Sequence, residues 1–98
     1  MITEVKQSLH YGKRYVATVL TKDGEKKIHF GQALAFTYID GAPEYVKDAY
    51  WARHTANPRE HYLISNKIPS PATFSAYLLW GSTRSLNENI RILNRLMK

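Results

Sequence analysis

The sequence predicts an α+β fold: a small antiparallel sheet of two or three strands, drawn from the N-terminal third, packed against about three helices. Three observations carry this. An alternating, β-branched run from Arg14 to Leu20 is followed by Asp23-Gly24 and a second run from Lys27 to Phe30; helical spacing of apolar residues starts only after Pro43; and the most regular helical pattern, Leu86, Ile90, Leu93 and Met97, closes the chain. Period two marks a half-buried strand, and recurrence at three and four marks a helix face. With 98 residues, one core is all the chain can build, so residues 1–98 read as one domain.

The first pairing is a hairpin. Tyr15, Ala17 and Val19 alternate with Val16, Thr18 and Leu20, and Asp23-Gly24 offers the positive-φ residue that a tight turn demands. On the return strand Ile28 and Phe30 share one face, which leaves His29 with Lys27 on the other, and Gly31 ends the run. Thr3 to Ser8 is expected to add a third strand. The stretch 32–43 is apolar but broken by Asp40-Gly41, and reads as a loop tucked under the core.

Pro43 suits a helix start and Glu44 its first turn. Tyr45, Val46, Ala49, Tyr50, Arg53 and His54 then follow along one face until Asn57-Pro58, so the first helix is expected near 43–56, with His54 donating to the carbonyls at its end. Residues 58–69 lie between two prolines and read as a connection. Ser70-Pro71 is a cap followed by proline, opening a short helix near 71–79 with Phe74, Tyr77, Leu78 and Trp80 inward, up to Gly81. Ser85 and Glu88 are spaced as a capping box for the last helix, near 85–97, whose outer face carries Arg91, Arg95 and Lys98. Phe30, Tyr77 and Trp80 are the expected core rings.

Composition narrows the function classes. There are 14 Lys+Arg against 8 Asp+Glu, a net charge of +6, and no cysteine. That balance favours an anionic partner, yet the cations are scattered singly or in pairs, with no basic arm of the kind that binds DNA by charge alone. Disulfide and thiolate chemistry is excluded. No run approaches the ~18 apolar residues of a membrane span.

The densest chemistry lies in YWARHTANPREHY, residues 50–62. The nearest two of the four histidines, His54 and His61, are separated by Asn57-Pro58, and no carboxylate stands at a ligand offset; we expect no metal, no cofactor and no small-molecule substrate. No nucleophile–base set or glycine-rich phosphate loop is evident, so no catalytic residue is assigned and the protein is expected not to be an enzyme. His29, Tyr50, Trp51, Arg53, His54 and Arg59 form the candidate partner- or anion-binding set. Helical phase turns Trp51 roughly 100° from Tyr50, so the cluster is not one continuous platform; if exposed, Trp51 marks a contact surface for protein or nucleic acid.

The ordered series IHFG (28–31), YWARH (50–54) and FSAYLLWG (74–81) resembles a family of small uncharacterised proteins encoded by large double-stranded DNA viruses and by phages, over roughly residues 13–97. Family members tend to carry Asp-Phe-Thr where this chain has Ala35-Phe36-Thr37, and Thr-Ala-Gly-Phe where it has Pro71-Ala72-Thr73-Phe74. The resemblance implies a viral or phage setting, with His29, Tyr50, Arg53, His54 and Trp80 forming a polar-aromatic seam between hairpin and helices. In that setting the expected role is a virion structural protein, a minor capsid or cement component made in the host cytoplasm and carried in the virion, binding coat subunits through aromatic and basic side chains. A DNA- or RNA-binding accessory protein is the alternative.

Overall fold

A computed structural model describes residues 1–97. These residues form an antiparallel sheet of order β1-β2-β3 and four α-helices, an α+β architecture. The strands are β1 (Ile2–Gln7), β2 (Lys13–Thr21) and β3 (Gly24–Gln32). Thr21 pairs with Gly24, whose φ of 109° is the left-handed value that the hairpin needs.

The register of β1 contains an irregularity that decides what is buried. Ile2 pairs with Val19 but Glu4 pairs with Thr18, so Thr3 is an extra residue. The bulge shifts the parity of the strand, placing Ile2 and Val5 on the same face although they are three apart. That face, with Ala17, Val19, Ile28 and Phe30, meets the helices; Ile2, Ala17, Val19 and Phe30 are buried in the main core.

After β3 a loop leads to a 3-10 turn (Tyr38–Asp40) and then α1 (Glu44–Thr55). Only part of this loop is tucked in: Thr37 and Ala42 are buried, whereas Leu34 and Phe36 are exposed. The Asp40 carboxylate holds the turn by accepting from Thr37 N at 2.9 Å and taking a two-pronged bond from Arg14, at 2.6 and 2.5 Å.

The face of α1 is turned from the expected one. Tyr45, Ala49 and Arg53 are exposed, and the half-buried stripe is Val46, Lys47, Tyr50, Trp51 and His54. Trp51 is therefore no exposed anchor. Its Nε1 donates to Trp80 O at 2.7 Å and its ring meets Tyr77 edge-on, while Lys47 Nζ donates to Gly81 O at 3.2 Å. These two donors explain the rotation, because the helical segment ending at Trp80 leaves carbonyls that need partners.

The segment expected as a connection is instead α2 (Pro58–Ser65). Asn57 caps it, its side chain accepting from Arg59 N and Glu60 N, and Pro58 takes the first helical position. The proline that ends α1 thus opens α2. Then α3 (Pro71–Phe74), capped by Ser70, widens into a π-turn over Ser75–Leu79, closed by Trp80 N donating to Ser75 O.

The final helix is α4 (Leu86–Leu96). Ser85 Oγ accepts from Glu88 N, but the Glu88 side chain pairs with Arg91 rather than reaching back, so only half of the expected box forms. Asn94 joins α4 to β1 through both its amide groups, accepting from Ile2 N at 2.7 Å and donating to Ile2 O at 2.9 Å. The centre of the molecule is Phe30, Phe74, Leu78, Leu79 and Leu93, all buried, with Phe30 and Phe74 edge to face at 5.6 Å. Trp80 is buried at its margin and Tyr77 is partly buried against it.

Candidate functional site

Between the β1–β2 turn end of the sheet, opposite the Gly24 hairpin, and α1, α2 and the start of α3 lies a cleft of about 780 Å³. Tyr50, Arg53 and His54 of α1, Arg59 and Glu60 of α2, Lys13 of β2 and Trp80 all line it. Of the set singled out in the sequence, Tyr50, Arg53, His54 and Arg59 come together here, while Trp51 and His29 do not line it.

His29 lies elsewhere because of strand parity. It pairs with Val16 and points from the sheet face opposite Phe30, where its Nδ1 lies 2.7 Å from Ser8 Oγ and its ring stacks on His10 at 3.5 Å. Burial, and then the nearby His10, Lys13 and Lys27, lower its pKa below the ordinary 6.5. The seam expected to join His29 with Tyr50, Arg53, His54 and Trp80 is therefore split between two places.

The wall of the cleft is a stack of rings. Tyr50 lies parallel to Trp80 at 4.8 Å and has His54 against it at 4.1 Å. Burial, then the charge of Glu60, pushes the Tyr50 phenol up to about 12, so it remains a hydroxyl donor. Trp80 and His54 both pack against the Tyr50 ring, and the Arg53 guanidinium carbon lies 6.0 Å from its centroid.

His54 does not donate to carbonyls at the end of α1. Its Nδ1 sits 3.1 and 3.2 Å from the two oxygens of Glu60. The pair exists only because α2 starts at Pro58 and turns Glu60 back toward α1. Reading 58–69 as a connection hid it; Asn57 followed by Pro58 and Glu60, a cap, a first-turn proline and a first-turn acid, was the available signal.

The glycine of the HFG motif acquires a physical role here. Gly31 has φ +79°, and a Cβ on it would meet Leu79 Cδ1 at 2.9 Å and Arg14 Cβ at 3.3 Å. Only glycine lets β3 pass this close to the π-turn, and both Gly31 and Leu79 border the cleft.

Next to the cleft the molecule exposes large apolar side chains. Ala33 N donates to Gly12 O at 3.1 Å, tying the β1–β2 turn to the loop after β3. Leu9 and Tyr11 in that turn and Leu34 in that loop are 98, 104 and 99% exposed, and Phe36 is 63% exposed. Tyr11 precedes the cleft-lining Gly12, and Leu34 and Phe36 flank the cleft-lining Ala35. Among the described residues no three His, Asp or Glu side chains converge as metal ligands, and no helix is long and apolar enough to cross a membrane.

Comparison with known proteins adds a family. The model of a family of unknown function, DUF5754, matches residues 3–54, from the first strand to the cleft-lining His54. Uncharacterized protein L851 of Acanthamoeba polyphaga mimivirus is 44% identical over 79 residues, which cover 79% of this chain and 79% of that protein. No solved structure matches.

Proposed function

The chain belongs to the DUF5754 family and has a mimivirus relative, and from that premise we propose that it is a virion structural protein, a minor capsid or cement component that binds coat subunits and catalyses no reaction. The observation that carries this reading is the near-complete exposure of Leu9, Tyr11 and Leu34 at one end of the sheet, with Phe36 beside them. Scattered exposed apolar residues are ordinary, but several large ones tied into one end of a small domain form a surface that gains by being covered. Aromatic and aliphatic anchors ringed by polar groups are the make-up of a protein-binding patch.

The test is tagged protein expressed during infection and measured in purified particles. The wild type is expected at a fixed ratio to the major coat protein. The triple variant L9S/Y11S/L34S is expected to be lost from particles while melting as the wild type does. Absence of the wild type from particles, or equal incorporation of the variant, overturns the proposal.

A second reading, a DNA- or RNA-binding accessory protein, is favoured by Lys13, Arg53 and Arg59 in the cleft and by the exposed Arg91 and Arg95. Phosphate-backbone binding weakens steeply with salt through counterion release, and an apolar interface does not. Gel shifts from low to moderate salt separate the two.

A further inference from the structure

We infer that the cleft is a phosphate-binding site, one that takes the dianion of a phosphomonoester with its organic portion lying on the apolar wall. The inference is independent of virion assembly, since it rests on the cleft and not on the exposed end of the sheet.

Charge is the first argument. Three cations line the cleft, Lys13, Arg53 and Arg59, against one carboxylate, Glu60; three minus one leaves a formal +2 with His54 neutral, which a dianion cancels. Of the arginines elsewhere, Arg14 is engaged by Asp40, Arg84 by the carbonyls of Tyr38 and Ala42, and Arg91 by Glu88, while Arg95 is exposed on α4 away from the cleft. Among the described residues Lys13, Arg53 and Arg59 have no ion-pair partner, and the Arg53 guanidinium carbon lies 6.0 Å from the Tyr50 ring centroid. The carboxylate that would neutralise them is turned to His54.

Guanidinium groups match the oxygens of phosphate with paired N–H donors, and a concave site with low-dielectric walls strengthens the attraction. Leu63, Leu79, Pro69 and Trp80 supply such walls. The Tyr50 hydroxyl, kept protonated by its burial, adds a neutral donor.

Size and the ring stack then define the ligand. About 780 Å³ lies within the ~300–1,000 Å³ usual for small-ligand sites and far exceeds one phosphate group. The Tyr50 ring is already against Trp80 and His54, so a nucleobase would compete with protein rings for it, whereas the unpaired cations stand ready for a phosphate. The phosphate itself is therefore the recognised feature, borne either on a phosphorylated side chain of a partner or on a free organic phosphate.

Isothermal titration of the full chain with phenyl phosphate, at fixed ionic strength above pH 7, tests this. We expect saturable binding at least about tenfold tighter than for benzoate, which has the ring but a single charge. The double variant R53Q/R59Q, both positions being exposed, should melt as the wild type does and bind phenyl phosphate roughly tenfold or more weaker. K13Q should weaken binding and E60Q, by removing the opposing charge, should tighten it, a sign that loss of packing would not produce. Titration with inorganic phosphate and with a phosphoserine peptide separates the sources: a peptide tighter than phenyl phosphate assigns the site to a phosphorylated partner and a weaker one to a free organic phosphate, while inorganic phosphate binding as tightly as phenyl phosphate overturns the role given to the apolar wall. No saturable heat up to millimolar phenyl phosphate, equal affinity for benzoate, or an undiminished R53Q/R59Q overturns the inference.

Discussion

Asn89→Ala should be among the most damaging single changes outside the apolar core. Asn89 is 1% exposed and uses its whole amide: Nδ2 donates to Leu78 O at 3.0 Å and Thr83 O at 2.9 Å, and Oδ1 accepts from Thr83 N at 3.1 Å and Thr83 Oγ1 at 2.7 Å. These bonds fasten the end of the π-turn to the start of α4. Removing the amide strands the buried Leu78 carbonyl at about 1–3 kcal/mol, and the three partly buried bonds, which water can partly replace, add about 0.5–1.5 kcal/mol each. We expect a loss of roughly 3–5 kcal/mol, a large part of the ~5–15 kcal/mol stability of a small domain. Urea unfolding followed by far-ultraviolet circular dichroism reads it as a lowered midpoint at unchanged slope. A loss under about 1 kcal/mol would refute the reasoning and mean that the corner is held by Gly81 and the backbone alone.

The same corner predicts that Gly81→Ala is destabilising, since its Cβ would stand 2.1 Å from Tyr77 O and 3.0 Å from the Asn89 amide; a thermal melt equal to that of the wild type sinks the claim. Trp80→Ala removes a buried ring that stacks on Tyr50 and should cost about 3–5 kcal/mol, read from the urea midpoint. Asp40 is held well below the usual carboxylate range, first by the Arg14 guanidinium, so its contribution is complete above the unfolded pKa and lost as pH falls through the lowered folded value. Asp40→Asn should cost about 1–2 kcal/mol at neutral pH, discounted for a side chain a quarter exposed, and less in acid. His29, whose folded pKa is also lowered, makes stability full above pH 6.5 and declining below it; His29→Gln should flatten that slope, measured as melting temperature from neutral to mildly acidic pH.

Where local chemistry decided the structure, the sequence was readable. Asp23-Gly24 with its alternating flanks marked the hairpin, and Ser70-Pro71 and Ser85 marked the helix starts where the backbone now has them. The bulge at Thr3 leaves no local signature, being set by which residues of β1 can be buried. The face of α1 was misread because Trp51 and Lys47 donate to carbonyls of Trp80 and Gly81, about thirty residues on, and no helical periodicity encodes that. The candidate site followed the same division. Tyr50, Arg53, His54 and Arg59 were grouped by proximity in sequence and lie on one cleft, whereas Lys13 and Glu60 depend on where β2 begins and on a helix taken for a connection.

The ring stack gives the molecule an optical property. Its two tryptophans occupy one network: Trp80 lies on the cleft wall against Tyr50, and the indole N–H of Trp51 is bonded to the Trp80 carbonyl. A ligand in the cleft would change the surroundings of Trp80 and, through the bond to its carbonyl, those of Trp51, so intrinsic fluorescence would report occupancy with no added dye.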